Sequence, residues 1–411
     1  MHYNSFDFLK VFNFERVGGS EKELEAANLL LEEMKRRGGE DVHLEEFEVD
    51  YPDVKEASLS TSNGNSYVVR GKGMSGSTPQ EGITKKFKYI ENGEDVNLVD
   101  IEDKIVLITG PIRKELYEKL ASKNVAGIIT FSGSLYDRDD DSDHLVVNTR
   151  SLHYDIKKIP SVTLIARDAQ KLVLESPEEV TLKIIEDENH SLSHNVVATL
   201  KGESEEIVAF TAHYDSVEFS SGSYDNGTGT ITVLEMLSYF KEHEHKMTLK
   251  FILCGSEEKG LLGSKAYVEK HKDELEKYRL NINIDMTAVV LGFNIACVSA
   301  NTDLVNYIDY LGKIKGYPIK VNQGVYSSDS TPFADYKVPS LSFARISPRG
   351  GEEIHSRKDV IDFLDSKNYY VTCAFIEEFA SSLVNATLFP VERKIPDNIV
   401  EEINKYYQRS K

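Results

Sequence analysis

Acidic residues and histidines follow four apolar, strand-like runs of this sequence and open one helix-like run. In chain order these residues are His213, Asp215, Asp225, Glu257, Glu258, Asp285 and His355. Histidine and carboxylate ligands without cysteine suit Zn²⁺ or a similar ion, and three or more carboxylates carry enough charge to hold two such ions. The residues therefore predict a centre for two Zn²⁺ ions, with Co²⁺ or Mn²⁺ as alternatives.

Each of these residues also has an interpretation without a metal. A single carboxylate such as Asp225 or Asp285 is usually solvated surface, and His213 alone could be a hydrogen-bonded core histidine. The pair Glu257 and Glu258 is harder to explain, because adjacent anions at the mouth of a buried strand repel each other and resist desolvation. The coincidence of so many ligands at strand ends favours the metal centre.

The spacing of these residues separates their roles. Adjacent residues point in different directions, so Glu257 and Glu258 do not easily chelate one ion together. We expect one of them to bind metal and the other to face a substrate. Asp215 lies two residues after His213, on the same side of an extended chain, where it could accept a hydrogen bond from the imidazole and orient it.

The elements that must position these residues alternate between strands and helices after residue 188. The strand-like segments are NVVATL, IVAFTAH, TLKFILC, LNINIDM and VPSLSFA, and helix-like segments lie between them and after the last one. This order predicts an α/β fold with a mixed, mostly parallel sheet and helices on both faces. Ligands of such sheets bind beyond the carboxyl ends of the strands, where the acids and histidines fall.

An amphipathic helix is predicted in GGSEKELEAANLLLEEMKRRGG near the start of the chain. Ser20 and Glu23 fit a capping box, and Gly38 with Gly39 fits the end of the helix. The expected apolar face consists of Leu24, Ala27, Leu31 and Met34.

The composition changes near residue 55, where Ser, Gly, Thr and Asn become frequent. KIVLIT (104–109), AGIITF (126–131) and IPSVTLI (159–165) then alternate with helix-like segments, which indicates a smaller, β-rich α/β module. We therefore expect an inserted domain at 56–187, between an N-terminal part of the main domain (1–55) and its larger part (188–411). The C-terminal PDNIVEEINKYYQRSK is predicted to be a surface helix.

The overall charge limits the partners of this protein. Asp and Glu number 68 against 48 Lys and Arg, and the net charge of −20 repels nucleic acid phosphates and anionic membranes. Neither a basic-then-apolar leader nor an 18-residue apolar stretch is present. Cys254, Cys297 and Cys373 lack the CxxC spacing of a zinc or redox motif. We expect a soluble, cytoplasmic protein, although a trimmed secreted protein would look the same.

Other catalytic motifs are absent or incomplete. GSYDNGTG has the glycine spacing of a phosphate-binding loop, but Thr228 occupies the position of its lysine. Neither G-x-S-x-G nor H-E-x-x-H occurs, which excludes a serine α/β-hydrolase and a helical zincin.

Five motifs of the sequence resemble those of a known family. TAHYDSV, SYDNGTGT, GSEEKGLLGS, NIDM and IHSRKDVID, in this order, are similar to the co-catalytic zinc aminopeptidases of metallopeptidase family twenty-eight. Relatives of that family include glutamate carboxypeptidase and glutaminyl cyclase. The resemblance covers residues 195–380 and the segment 15–50. Residues 60–185 resemble a protease-associated domain, which would cap the site and restrict entry.

The resemblance assigns a role to each of the acids and histidines. It implies that the metal ligands are His213, Asp225, Glu258, Asp285 and His355. Asp225 would bridge two zinc ions, Glu257 would be the general base, and Asp215 would orient His213. Two ions about 3.5–4 Å apart would share a water, whose proton Glu257 would take and return to the leaving amine.

The implied reaction is the removal of N-terminal residues from peptides, which makes the protein a metallo-exopeptidase. Tyr326 and Asp329 in YSSDSTPF are similar to the family's substrate-binding stretch. A carboxypeptidase or dipeptidase would instead need a cation for the substrate carboxylate, for which Arg345 and Arg349 are candidates. A glutaminyl cyclase and a non-catalytic receptor remain alternatives, and a homo-oligomer is left open.

Overall fold

The computed structural model describes residues 4–110, 112–137 and 156–409 of the chain. The chain forms two compact units. The major unit contains Met1–Val49 and Ser191–Lys411, and the inserted unit contains Asp50–His190. In the described ranges, no helix has both the length and the apolarity needed to cross a membrane.

Strands and helices alternate along most of the chain. The strands are β1 (Glu40–Thr61), β2 (Ser66–Tyr67), β3 (Arg70–Gly71), β4 (Ile83–Tyr89), β5 (Ile105–Leu107), β6 (Gly127–Ser132), β7 (Ser161–Ile165), β8 (Glu179–Leu200), β9 (Ser204–His213), β10 (Met247–Cys254), β11 (Tyr278–Ile284), β12 (Phe293–Ser299), β13 (Ile319–Gln323) and β14 (Ser340–Ile346). The helices are α1 (Ser5–Val11), α2 (Glu21–Arg36), α3 (Lys114–Ser122), α4 (Ala166–Glu175), α5 (Thr228–Glu242), α6 (Leu262–Lys270), α7 (Thr302–Lys315), α8 (Ser330–Asp335), α9 (Ser366–Val384) and α10 (Asp397–Tyr406). The mixed α/β class predicted from the sequence is confirmed.

The sheet of the major unit has four parallel strands at its centre. Its order is β13-β12-β14-β11-β9-β10, followed by the C-terminal half of β8. Strands β14, β11, β9 and β10 are parallel, whereas β12 and β8 pair antiparallel to their neighbours β14 and β10. The carboxyl ends of the four central strands therefore meet at one edge of the sheet.

Helices cover both faces of this sheet, as the sequence predicts. Alternate strand residues such as Val208 and Phe210 pack into the core that contains α1, α2, α5, α7 and α9. Their neighbours Ile207 and Ala209 pack into a second core that contains α6 and α8. Successive side chains of a strand point to opposite faces, so both faces of these strands are apolar.

The inserted unit has its own sheet and its own cores. The order is β4-β5-β6-β7-β3, with the N-terminal half of β8 beside β4, and the strands from β4 to β7 are parallel. Helix α4 packs into one apolar cluster and α3 into another. The first and last residues of this unit lie close together, because Nδ1 of His190 is 3.2 Å from Oδ1 of Asp50. Its identity as a protease-associated domain stays a prediction.

The division between the units falls inside two long strands. The divisions at 49/50 and 190/191 lie within β1 and β8, whereas the sequence places changes at 55/56 and 187/188. Residues 184–194, on both sides of the expected change at 187/188, are all part of β8. Its residues 187–190 are exposed, so charged side chains there meet water without interrupting the strand.

The N-terminal helix forms as predicted, and Ala27 and Met34 of its expected apolar face are buried, but the buried face is shifted. Ser20 caps α2 by accepting a hydrogen bond from the amide of Glu23, and Gly38 follows the helix with φ +86°. Leu24 is 39% exposed, and the fully buried residues include Glu23. The capping box is therefore only half formed, because the Glu23 carboxylate points into the protein instead of back to Ser20.

The elements β12, β13 and α8 were not predicted. Polar residues interrupt the short apolar stretches of β12 and β13, and α8 has only six residues. Neither the strand periodicity nor the helix periodicity is therefore strong in these segments. The helix-like segment between TLKFILC and LNINIDM is helical over only part of its length, since α6 ends at Lys270 and a 3₁₀ turn follows at Leu275–Lys277.

Candidate metal centre

The carboxyl ends of β9, β10 and β11 bring the predicted ligands together. His213 ends β9 and lies opposite Cys254, the last residue of β10, so the two glutamates that follow Cys254 start beside it. Asp285 follows β11 directly, and β11 pairs with β9 on the side of β9 opposite to β10. Parallel pairing thus places residues from distant parts of the sequence at one edge of the sheet.

The first group of ligands consists of His213, Asp225 and Asp285. Nε2 of His213 lies 3.2 Å from Oδ1 of Asp225 and 3.7 Å from Oδ1 of Asp285. One ligand atom from each residue falls within 4.8 Å of the others. All three side chains are buried, so the group could enclose one cation.

The second group consists of Asp225, Glu258 and His355. Nε2 of His355 lies 3.1 Å from Oδ2 of Asp225 and 3.1 Å from Oε2 of Glu258. Asp225 therefore directs Oδ1 to the first group and Oδ2 to the second. A carboxylate shared in this way can bridge two ions, as the resemblance implies.

Two buried ligand oxygens in these groups have no hydrogen-bond partner. They are Oδ1 of Asp285 and Oε1 of Glu258. A buried carboxylate oxygen without a donor is costly unless a cation lies nearby, so these atoms fit ligands of a metal. Two histidines and three carboxylates without a thiolate fit two zinc ions well.

The histidines respond to this concentration of negative charge. Burial lowers the pKa of His213, but Glu257 and the nearby aspartates outweigh it and raise the pKa well above the ordinary value. Burial also lowers the pKa of His355, and Asp225 with Glu258 raises it to about 11. This concentration of acids fits a site for cations, and metal ions would displace protons from the imidazoles on binding.

The two adjacent glutamates are held by one buried aspartate. The amides of Glu257 and Glu258 donate to Oδ1 and Oδ2 of Asp215 over 2.9 and 3.2 Å. Oδ1 of Asp215 lies 3.5 Å from Nδ1 of His213, at the limit of a hydrogen bond. Asp215 therefore fixes the turn that carries the glutamates and also faces the imidazole that it was predicted to orient.

Glu257 occupies the position expected of a free carboxylate beside the metal ligands. Burial and the neighbouring Glu258 raise its pKa well above the ordinary value, while His213 opposes that rise. It does not belong to either ligand group, whereas Glu258 does. Glu258 thus lies in a group that could hold an ion and Glu257 lies outside both groups, while their different roles stay a prediction.

A second buried aspartate, which the sequence analysis missed, holds the turn of Asp225. The amides of Tyr224 and Asp225 donate to Oδ1 and Oδ2 of Asp359 over 2.6 and 3.0 Å. Burial raises the pKa of Asp359 to about 7, while these amides oppose the rise. Asp359 lies in the string IHSRKDVID, four residues after His355, and that proximity was the only signal in the sequence.

Arg16 was also missed, although it organises the loop between His213 and Asp225. Its fully buried guanidinium donates to the carbonyls of Tyr214, Ser221 and Gly222 over 2.6, 2.5 and 3.1 Å. Burial lowers its pKa to about 10, which keeps it charged at neutral pH. Nothing near position 16 in the sequence indicates partners about 200 residues away.

Glu23 completes the set of missed residues. Its buried carboxylate accepts hydrogen bonds from the Tyr214 hydroxyl, from Ser193 and from the amide of His194. Ser193 in turn accepts from Ser256, which directly precedes Glu257. The N-terminal helix thus supports both the strand end with His213 and the turn with the glutamates.

The predicted substrate-binding residues differ in their burial and in their hydrogen-bond partners. Tyr326 is half-buried, and burial with the charges of Asp285 and Asp225 raises its pKa, so it lies near the ligand groups. Asp329 is 1% exposed and accepts a hydrogen bond from Ser264. The guanidinium of Arg345 donates to the carbonyls of Val289 and Val290 and to Asn294. The substrate-binding role of both residues stays a prediction.

Comparison with known proteins gives consistent matches. The model of peptidase family M28 matches residues 195–379. Aminopeptidase YwaD from Bacillus subtilis is 29% identical over 399 residues, which cover 92% of this chain and 82% of that protein. Carboxypeptidase Q from Bos taurus is 24% identical over 87% of this chain and 80% of that protein.

The fold is also similar to that of a solved structure. A crystal structure of BSAP, described as a zinc aminopeptidase from Bacillus subtilis, superposes with a TM-score of 0.78. It shares 24% sequence identity and covers 96% of this chain and 98% of that chain. The matched family segment contains all the residues of both ligand groups. The segment of the chain that carries both ligand groups is thus similar to peptidase family M28.

Proposed function

We propose that this protein is a zinc-dependent aminopeptidase that holds two zinc ions and removes N-terminal residues from peptides. The observation that carries the proposal is the sharing of Asp225 between two ligand groups, with Glu257 next to them. The relatives named as aminopeptidases and the zinc aminopeptidase of similar fold support the same activity and the same metal.

The residues of the site divide the work of hydrolysis. Two divalent ions, when bound, polarise a peptide carbonyl and lower the pKa of a water molecule towards neutrality. His213, Asp225 and Asp285 would hold one ion, and Asp225, Glu258 and His355 the other. The carboxylate of Glu257 takes the proton of the attacking water and returns it to the nitrogen of the leaving peptide.

The cations available to the site bear on which end of a substrate it takes. Two divalent ions would offset the charge of the ligand carboxylates, so that charge alone does not select a free amine. A carboxypeptidase would need a cation for the substrate carboxylate. The guanidinium of Arg345 is occupied by three acceptors of the segment 289–294, so it is not available for that purpose.

Carboxypeptidase activity remains the second candidate, because carboxypeptidase Q matches most of this chain. Arg349 is exposed and follows Arg345 in the loop before His355, so it is the cation to test in that case. Glutaminyl cyclase and a non-catalytic receptor receive less support, since both ligand groups are complete.

The test uses three chromogenic substrates of the same sequence. One has a free amine, one is N-acetylated, and one has a free amine and an amidated C-terminus. We expect cleavage of both free-amine substrates, loss of activity with chelator, recovery with Zn²⁺, and two equivalents of zinc by mass spectrometry. Cleavage of the N-acetylated peptide from its C-terminus would instead establish a carboxypeptidase, and Arg349→Ala should then raise KM.

A further inference from the structure

The C-terminal helix α10 packs against the segment that carries Tyr326. Ile399 and Ile403 are buried in a small apolar cluster with Ala334 of α8. At the end of α10, Arg409 forms a bidentate pair with Asp335, the last residue of α8, at 2.7 and 2.8 Å. The helix is therefore fixed to the protein at both its apolar face and its end.

Polar side chains of α10 also bind the segment 323–327 directly. Oε2 of Glu402 accepts a hydrogen bond from the amide of Val325 at 3.1 Å. The hydroxyl of Tyr406 lies 2.9 Å from that of Ser327, and Asn398 donates to Gln323 at 3.2 Å. The first two contacts fall on the residues immediately before and after Tyr326.

The next residues of this segment are attached to the strands and helix of the metal centre. Ser328 accepts a hydrogen bond from Asn283, two residues before Asp285. Asp329 accepts one from Ser264 of α6, the helix that follows the two glutamates. Tyr326 therefore lies between a side fixed to the metal centre and a side fixed to α10.

These contacts suggest more than general stability. We propose that Glu402 and Tyr406 are positioning residues, which hold the main chain on both sides of Tyr326 so that its side chain meets the bound substrate. The proposal rests on the proposed peptidase function. A misplacement of about 1 Å of a substrate-positioning group can reduce turnover strongly, so small contacts of this kind can matter for rate.

The alternative is that α10 only covers the apolar surface of α8. In that case removal of the polar contacts should leave turnover unchanged, because the buried isoleucines and the Arg409 pair still attach the helix. Two substitutions separate these cases without disturbing the apolar contacts. Tyr406→Phe removes only the hydroxyl, and Glu402→Ala removes the acceptor for Val325.

The matched controls lie on exposed positions. Glu401→Ala changes the neighbouring exposed glutamate of α10, and Tyr310→Phe removes a hydroxyl from a 62% exposed tyrosine of α7. Glu402→Gln keeps an oxygen that can accept from Val325 and serves as the conservative variant. For each protein the measurements are kcat and KM, zinc content, the melting temperature and amide exchange of residues 323–331.

We expect Glu402→Ala/Tyr406→Phe to lower kcat about tenfold with little change in KM. Amide exchange over 323–331 should become faster, while zinc content and melting temperature stay near those of the unchanged protein. Glu402→Gln should recover most of the rate, and both controls should behave as the unchanged protein.

Two outcomes overturn the proposal. Faster exchange with unchanged kcat means that the contacts order the segment without affecting turnover, and unchanged exchange means that they do not hold it. If the double variant loses zinc, Tyr406→Phe alone decides by the same two readouts. Absence of peptidase activity in the unchanged protein contradicts the proposed function instead, and the exchange measurement still tests whether α10 holds the segment.

Discussion

Two sets of buried acids in the major unit use their oxygens in opposite ways. In the ligand set, Asp285 and Glu258 each keep a buried oxygen without a hydrogen-bond partner. In the supporting set, both carboxylate oxygens of Asp215 and of Asp359 accept hydrogen bonds from two successive main-chain amides. The same side chain thus serves as a cation ligand in one place and as a clamp for the main chain in the other.

The site tolerates so many acids because the two sets are compensated in different ways. Amide donors stabilise the supporting carboxylates without any ion, so these hydrogen bonds can form together with the fold. Two ligand carboxylates have a buried oxygen without such a donor, which a bound cation would compensate. We therefore expect substitutions in the ligand set to change zinc content and kcat. Substitutions in the supporting set should change zinc affinity and the free energy of unfolding.

The largest effect should come from Asp225→Asn. The neutral amide removes the shared anion of both ligand groups, so we expect loss of both metals and of activity. Zinc content measured by mass spectrometry after gel filtration checks this, with circular dichroism as the control for folding. Two tightly held zinc equivalents in this variant would exclude the bridging role.

Glu257→Gln should separate rate from metal binding. Because Glu257 is outside both ligand groups, we expect zinc content to stay unchanged while kcat falls about 10²–10⁴-fold, the usual contribution of a general base. Steady-state kinetics at saturating zinc give the rate. Full turnover by this variant would show that another group moves the proton.

Asp215→Asn tests the supporting set. The amide offers one acceptor in place of two, so one of the Glu257 and Glu258 amides loses its partner and the turn should loosen. We expect zinc affinity to fall about 10–100-fold, as for other residues that orient metal ligands. Competition with a chromogenic chelator measures this, and an affinity equal to that of the unchanged protein contradicts the role.

Glu23→Gln should have the smallest effect on the metal. It weakens three buried hydrogen bonds, and we expect a loss of about 1–3 kcal/mol in the free energy of unfolding with two zinc ions retained. Denaturant unfolding of the chelator-treated protein gives this value. Glu25→Gln on the exposed side of α2 is the control and should change stability by less than about 0.5 kcal/mol.

The ligand set was accessible from the sequence, but the supporting set was not. Most of the ligands follow apolar runs, while Asp225 opens a helix-like run. Sites lie at the carboxyl ends of parallel strands, which relates those runs to one another. Asp359 and Arg16 contact residues more than a hundred positions away, through amides and carbonyls that have no sequence pattern. Glu23 was misread because a local rule for helix caps explained it first.

The same contrast holds for the fold. Strands β9, β10 and β11 are continuous apolar runs and were predicted, whereas β12 and β13 alternate weakly at the side of the sheet. The buried face of α2 was displaced because the helix packs around Glu23, a charged residue that an apolar pattern excludes. Long-range partners of polar side chains account for most of the differences.

The contact between Asp50 and His190 has a consequence for how the chain folds. The major unit must join its first 49 residues to those after 190, and closing a flexible loop of that length costs roughly 4 kcal/mol by (3/2)RT ln n, apart from a constant. Once the inserted unit has folded with the side chains of Asp50 and His190 in contact, its ends are close together and that entropy has already been lost. Helix α2 and β9 then meet as if joined by a short link, so folding of the insert first should speed assembly of the metal centre.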